Sequence, residues 1–120
     1  MRRSTIIILL LLALIAGAGC SIRATPAKAV HEFEIQVNVR LGGEFSGNYM
    51  VVMSDGSSQS RSVEGAGYAS YRVSGSMVSC VFQKQTDDSD IMLVTILRDS
   101  AIVSSSDTAA AYGTVSLATP

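Results

Sequence analysis

The stretch Val30–Leu41 carries a strict alternation of apolar and polar residues. Phe33, Ile35, Val37, Val39 and Leu41 fall on one side, and Glu32, Glu34, Gln36, Asn38 and Arg40 on the other. A period of two over this length is a β-strand with one face in a core and one in water. A helix would spread the same apolar residues around its circumference. A strand of this kind cannot cover its own apolar face, so the rest of the chain must supply partner strands and a second layer. Gly42 and Gly43 end the alternation.

The segments after Gly43 are suited to that demand. Phe45–Met53 is a second strand, after a break at Ser46–Gly47, with Tyr49, Val51 and Met53 on one face, and Asp55–Gly56 is a turn signal after it. Gln59–Val63 alternates weakly and suits an exposed strand. Gly65 and Gly67 flank the next turn, and Tyr68–Val73 points Ala69, Tyr71 and Val73 inward. Ser76–Gln85 is a further strand, on which Cys80 alternates with Val78 and Phe82. Thr86–Asp90 is an acidic loop. Ile91–Leu97 is apolar on both faces and predicts a central strand buried on both sides. Arg98–Ser100 turns the chain into two last strands, Ala101–Ser105 and Ala111–Leu117, with Ser106–Asp107–Thr108 between them. The run Ala109–Ala111 is too short to hold a helix. Seven or eight short strands with turn residues between them predict an all-β fold, an immunoglobulin-like antiparallel β-sandwich over residues 30–120.

The N-terminus is of another kind. Met1–Cys20 reads MRRSTIIILLLLALIAGAGC, with Arg2 and Arg3 ahead of 14 uncharged residues from Ile6 to Gly19. A basic start, a short apolar run and a small-residue close make a secretory signal. A spanning helix needs about 20 apolar residues, so the run is short for a permanent anchor. Its end, Ala18-Gly19-Cys20, resembles the lipobox of bacterial lipoproteins, with Gly17 where Leu is usual. The resemblance implies that the Cys20 thiol takes a diacylglyceryl group and that the chain is cut before it. Residues 1–19 are then a signal peptide, and 20–29 a lipidated cysteine with a Pro-containing tether. The domain would sit on the extracytoplasmic face of a cell membrane or an outer membrane. Ser21, in place of Asp, favours the outer membrane where there is one.

Removing Arg2 and Arg3 with the signal moves the formal net charge from −1 to −3, and the remaining basic residues are scattered. No basic patch forms in the linear order, which argues against a nucleic-acid partner. If Cys20 is acylated, Cys80 has no partner. It is then either a reactive thiol or, more in keeping with its apolar neighbours, a small buried hydrophobe.

The second half, from the Cys80 strand through Asp88-Ser89-Asp90 to the run Leu93–Leu117, resembles the small membrane-anchored MmpS proteins of mycobacteria. It covers about half of the mature domain. The resemblance implies a small exported β-sandwich working beside a lipid transporter, held by an uncleaved N-terminal helix. The paired cysteines of that family near the C-terminus are missing here.

Catalysis requires a nucleophile, a base and a group that orients the base. The one histidine, His31, stands at a strand edge beside the tether, and no serine lies in a G-x-S-x-G or S-x-x-K pattern. Gly65-Ala66-Gly67 lacks the third glycine of a dinucleotide loop and reads as a turn. Asp87, Asp88 and Asp90 are the one cluster suited to an ion such as Ca²⁺, yet they lack the glycine and distal glutamate of an EF-hand, so a solvated loop is the simpler reading. No spacing suits zinc, and no cofactor is implied. Tyr49, Tyr68 and Tyr71 form either a ligand surface or part of the core. No catalytic residue is expected. The expected function is a membrane-anchored, non-enzymatic binding or accessory module with a protein partner in the envelope. A passive envelope component and an accessory of a lipid transporter are the alternatives.

Overall fold

The computed structural model describes residues 29–119; Met1–Lys28, with Cys20 and the whole signal, lie outside the described residues, as does Pro120. Eight strands succeed one another: β1 His31–Val39, β2 Glu44–Val52, β3 Ser58–Ala66, β4 Tyr68–Gly75, β5 Met77–Lys84, β6 Met92–Arg98, β7 Ala101–Thr108 and β8 Thr114–Ala118. They form two four-stranded sheets, in the orders β4-β1-β6-β7 and β3-β2-β5-β8. Every pairing is antiparallel. Among the described residues only β2–β3 and β6–β7 are hairpins within a sheet; the other connections cross between layers and tie them together. The fold is a β-sandwich of eight strands, within the seven or eight that the strand rhythm predicts.

The core lies between the sheets. From one side come Phe33, Ile35, Val37 and Val39 of β1 with Met92, Val94 and Ile96 of β6. Phe45, Tyr49 and Val51 of β2, Val78, Cys80 and Phe82 of β5, and Val115 of β8 meet them from the other side. Phe82 is the centre of an aromatic group. The Phe45 ring stands edge-on to it at 5.9 Å between centroids, and Tyr71 stacks on it at 6.3 Å. Such pairs add about 0.5–1.5 kcal/mol beyond their burial. Gly47 lets β2 and β5 approach, since a Cβ there would overlap the Val81 carbonyl oxygen.

Five expectations from the sequence are corrected. β2 runs unbroken through Ser46 and Gly47, both of which pair with β3 and β5. Leu41 does not continue the inner face of β1. The chain turns at Arg40–Gly42 in a single 3₁₀ turn, and Leu41 stands 91 % exposed at φ 57°. Ile91–Leu97 is not buried on both sides. Met92, Val94 and Ile96 are fully buried, but Leu93 on the other face is 39 % exposed, because a two-layer sandwich has no third layer to cover it. Gly65 belongs to β3 rather than to a turn, and it lies under the Phe45 ring; only Gly67, at φ 73°, makes the turn. Ser106, Asp107 and Thr108 extend β7 by pairing with Val94, Leu93 and Met92, so β8 starts only at Thr114.

Ile35 is fully buried at the middle of β1. Ile35→Ala is expected to lower unfolding free energy by about 2–5 kcal/mol in a denaturant titration. Gly47→Ala must push β5 from β2 and is expected to destabilise, whereas Gly→Ala in a β-strand with free space around it should stabilise.

Candidate binding surface

Antiparallel pairing sorts the connections to the two ends of the sandwich. β1 finishes, and β4 and β6 begin, at the end opposite His31. The segment 40–43, the turn at Gly67, the acidic loop 85–91 and the segment 109–113 therefore gather at one loop end. Backbone hydrogen bonds lace them together. The Arg40 N–H donates to the Ile91 carbonyl at 3.0 Å, the Gly67 N–H to Gly43 at 2.9 Å, and the Tyr112 N–H to Thr86 at 2.9 Å.

Lys84 organises the acidic loop. It continues the inward parity of Val78, Cys80 and Phe82, so its stem runs along the core and its side chain is fully buried. Its Nζ donates to the carbonyl oxygens of Asp88 at 2.8 Å and Asp90 at 2.5 Å, and lies 3.1 Å from the Asp88 carboxylate. A buried ammonium is tolerable only when its donors are all satisfied. Asp88 also accepts from the Thr86 hydroxyl and the Asp90 N–H, both at 3.1 Å. The Lys84 hydrogen bond, followed by that of Asp90, holds the Asp88 carboxyl below the ordinary aspartate value. The loop that suggested Ca²⁺ thus wraps the chain's own cation. Asp87 stays exposed, and among the described residues no three His, Cys, Asp or Glu side chains converge as metal ligands.

Apolar side chains crown the same end. Leu41, Tyr68, Ile91 and Tyr112 are exposed there, with Leu93 beside Asn38 on the outer face just below. Leu41 and Tyr112 both hold the left-handed backbone region, at φ 57° and 51°. That region costs an L residue about 1–2 kcal/mol. Leu41 stays 91 % exposed, and Tyr112 is half-buried with its backbone N–H and carbonyl both hydrogen-bonded. Asp87, Asp88, Asp90, Glu44 and Arg40 stand in or beside these connections, so the loop end carries more acidic than basic residues.

The remaining candidates do not join this surface. His31 lies at the opposite end, where its Nδ1 meets the Asp99 carboxylate at 2.7 Å. The Asp99 carboxyl is held below its ordinary value, first by the Glu32 N–H and then by His31. This pairs an imidazole with an orienting carboxylate, with no nucleophile hydrogen-bonded to it among the described residues. The Ser74 hydroxyl, one position from His31's partner in β4, donates to Glu32, that of Ser70 further along β4 donates to Glu34, and no serine bonds to His31 among the described residues. The tyrosines separate. Tyr49 is buried, with its ring 5.7 Å from that of Tyr71, while Tyr68 is exposed at the loop end. Tyr49 and Tyr71 floor an open groove of about 500 Å³ between β3 and β4, flanked by Arg61 and Arg72. Burial, followed by Tyr49, pushes the Tyr71 phenol up. Cys80 is a free thiol, 3 % exposed, and burial pushes it up to about 11. It is a core residue, not a nucleophile. Comparison with protein-family models and with curated proteins gives no match for this chain.

Lys84→Met keeps the stem but leaves two carbonyls and a carboxylate without their donor. It is expected to cost about 1–3 kcal/mol and to speed amide hydrogen exchange in residues 86–91. Because the folded Asp88 value is depressed, its contribution is complete above about pH 4 and is lost as the pH falls through the folded value. Asp88→Asn should therefore lose less stability than the parent between about pH 5 and pH 2, Asp55, Asp99 and Glu34 being common to both. Leu41→Gly removes left-handed strain and no buried area. Its Tm is expected to stay level or rise, by up to about 4–8 °C if about 1 kcal/mol is released.

Proposed function

We propose that this protein is a lipid-anchored, extracytoplasmic binding module without enzymatic activity, which hangs from Cys20 and offers its loop end to a protein of the envelope. The observation that carries this reading is the sequence Met1–Cys20, whose charge, apolar length and closing Ala18-Gly19-Cys20 agree with a lipoprotein signal. One acyl chain holds a protein at a membrane only marginally, and two or more make attachment durable.

The direction of the strands adds to it. The tether would join β1 at His31, and the loop end lies at the other extreme of the sandwich. Residues 20–29 extended would span at most about 35 Å, enough to set the domain off the bilayer. Leu41 and Tyr112, exposed and in the left-handed region, lie at the end that would face away from that bilayer. Local strain at an exposed side chain, as at Leu41, is a reason to look for a partner.

Replacement of Cys20 by Ser tests the anchor. The wild-type chain should sediment with membranes and resist high salt, while Cys20→Ser should lose most of its membrane fraction or keep its uncut signal. An unchanged membrane fraction with a cut signal would contradict lipid anchoring.

A further inference from the structure

The two outer faces of the sandwich differ in charge. That of β4-β1-β6-β7 carries Glu32, Glu34, Arg72 and Asp107 spread across it. That of β3-β2-β5-β8 carries only Glu44 and Glu64, both at its loop-end margin. The rest is neutral. Register places Val52 beside Met77, Ser79 between Met50 and Ala118, and Val81 between Asn48 and Ser116. Met50 and Val81 are 38 % and 41 % exposed at the middle of this face. A small apolar centre is thus bounded by serines of β3, by Asn48 and by Gln83.

We infer that this outer face binds the same face of a second copy, sheet on sheet, to form a two-fold symmetric dimer. In such a contact a patch meets itself, so any charge at its centre would meet a like charge. The face of β3-β2-β5-β8 meets that condition, whereas that of β4-β1-β6-β7 has Glu34 and Arg72 near its middle. A neutral face also offers no sign for a charged partner to complement. Loss of charge with Met at the centre and a polar rim is the pattern of an interface core. Four strands of about seven residues cover about 19 Å by 25 Å, so two copies would bury about 1,000 Å², the lower bound for a specific interface. The contact centres on Met50 and Val81 and leaves Leu41, Tyr68 and Tyr112 of the loop end free on both copies. It does not depend on how the N-terminus is processed.

Cross-linking of the full chain, in membranes and after detergent extraction, tests the inference. Met50→Cys and Val81→Cys are each treated with a short bis-maleimide, beside wild type as background and Gln36→Cys on the opposite outer face. Met50→Cys and Val81→Cys should give an adduct whose intact mass equals two chains plus one linker, at least tenfold above Gln36→Cys. Adding Val81→Asp to Met50→Cys should cut that yield at least tenfold while circular dichroism keeps the strand signal. Only monomer, equal yields on both faces, or an adduct with a different protein would each overturn the dimer.

Discussion

The sandwich rests on the burial of one face of β1 against β2 and β5. Phe33, Ile35, Val37 and Val39 can leave water only if a second sheet stands opposite, and Phe45, Val51, Val78 and Phe82 are what stands there. β1 pairs on both sides, with β4 and β6, so its inner row also fixes their register. A one-residue slip would turn that row to solvent and bring Glu32, Glu34 and Gln36 inward. The alternation therefore selects one pairing as well as one fold class.

The loop end is a consequence of strand alignment. Once the strands are in register, their far ends deliver four connections to one place, and Lys84 gives the longest of them a fixed shape. Its ammonium takes three oxygen partners from Asp88 and Asp90 at the edge of the core. The loop is thereby ordered without a metal-type ligand set, and its neighbours Ile91 and Tyr112 are held by backbone bonds to Arg40 and Thr86. Exposed apolar tips on a rigid frame lose little conformational entropy when they meet a partner. Leu41 and Tyr112 fit that description, since each is fixed in an unfavourable backbone region yet remains in contact with water. At the other end the His31–Asp99 contact closes the start of β1 onto the β6–β7 turn, where a tether from Cys20 would join.

Much of this was legible in the chain. The strict parity of β1, the turn at Asp55–Gly56 and the apolar setting of Cys80 are local signals, and each is found where the pattern puts it. The failures are equally physical. Leu41 keeps the parity of β1, but Gly42 and Gly43 allow the chain to turn one residue early, so it leaves the core. Ile91–Leu97 is apolar on both faces, yet the number of layers is a global property that no single strand encodes. Ser106–Thr108 has turn composition, and pairing with β6 overrides it. Lys84 could have been found: it shares the parity of Val78, Cys80 and Phe82, and a lysine on a buried row must meet acceptors, which the aspartates four and six residues later supply. The His31–Asp99 contact could not, because the residues stand 68 positions apart and only the strand order joins them.

Whether this sandwich is carried on a lipid at Cys20 decides where it works and which way its loop end faces. The intact mass of the full-length product purified from its membrane answers that question. Lipid anchoring requires a mass equal to residues 20–120 plus two or three acyl chains. A mass equal to the uncut chain, with no lipid, would contradict it and make Met1–Gly19 the anchor itself.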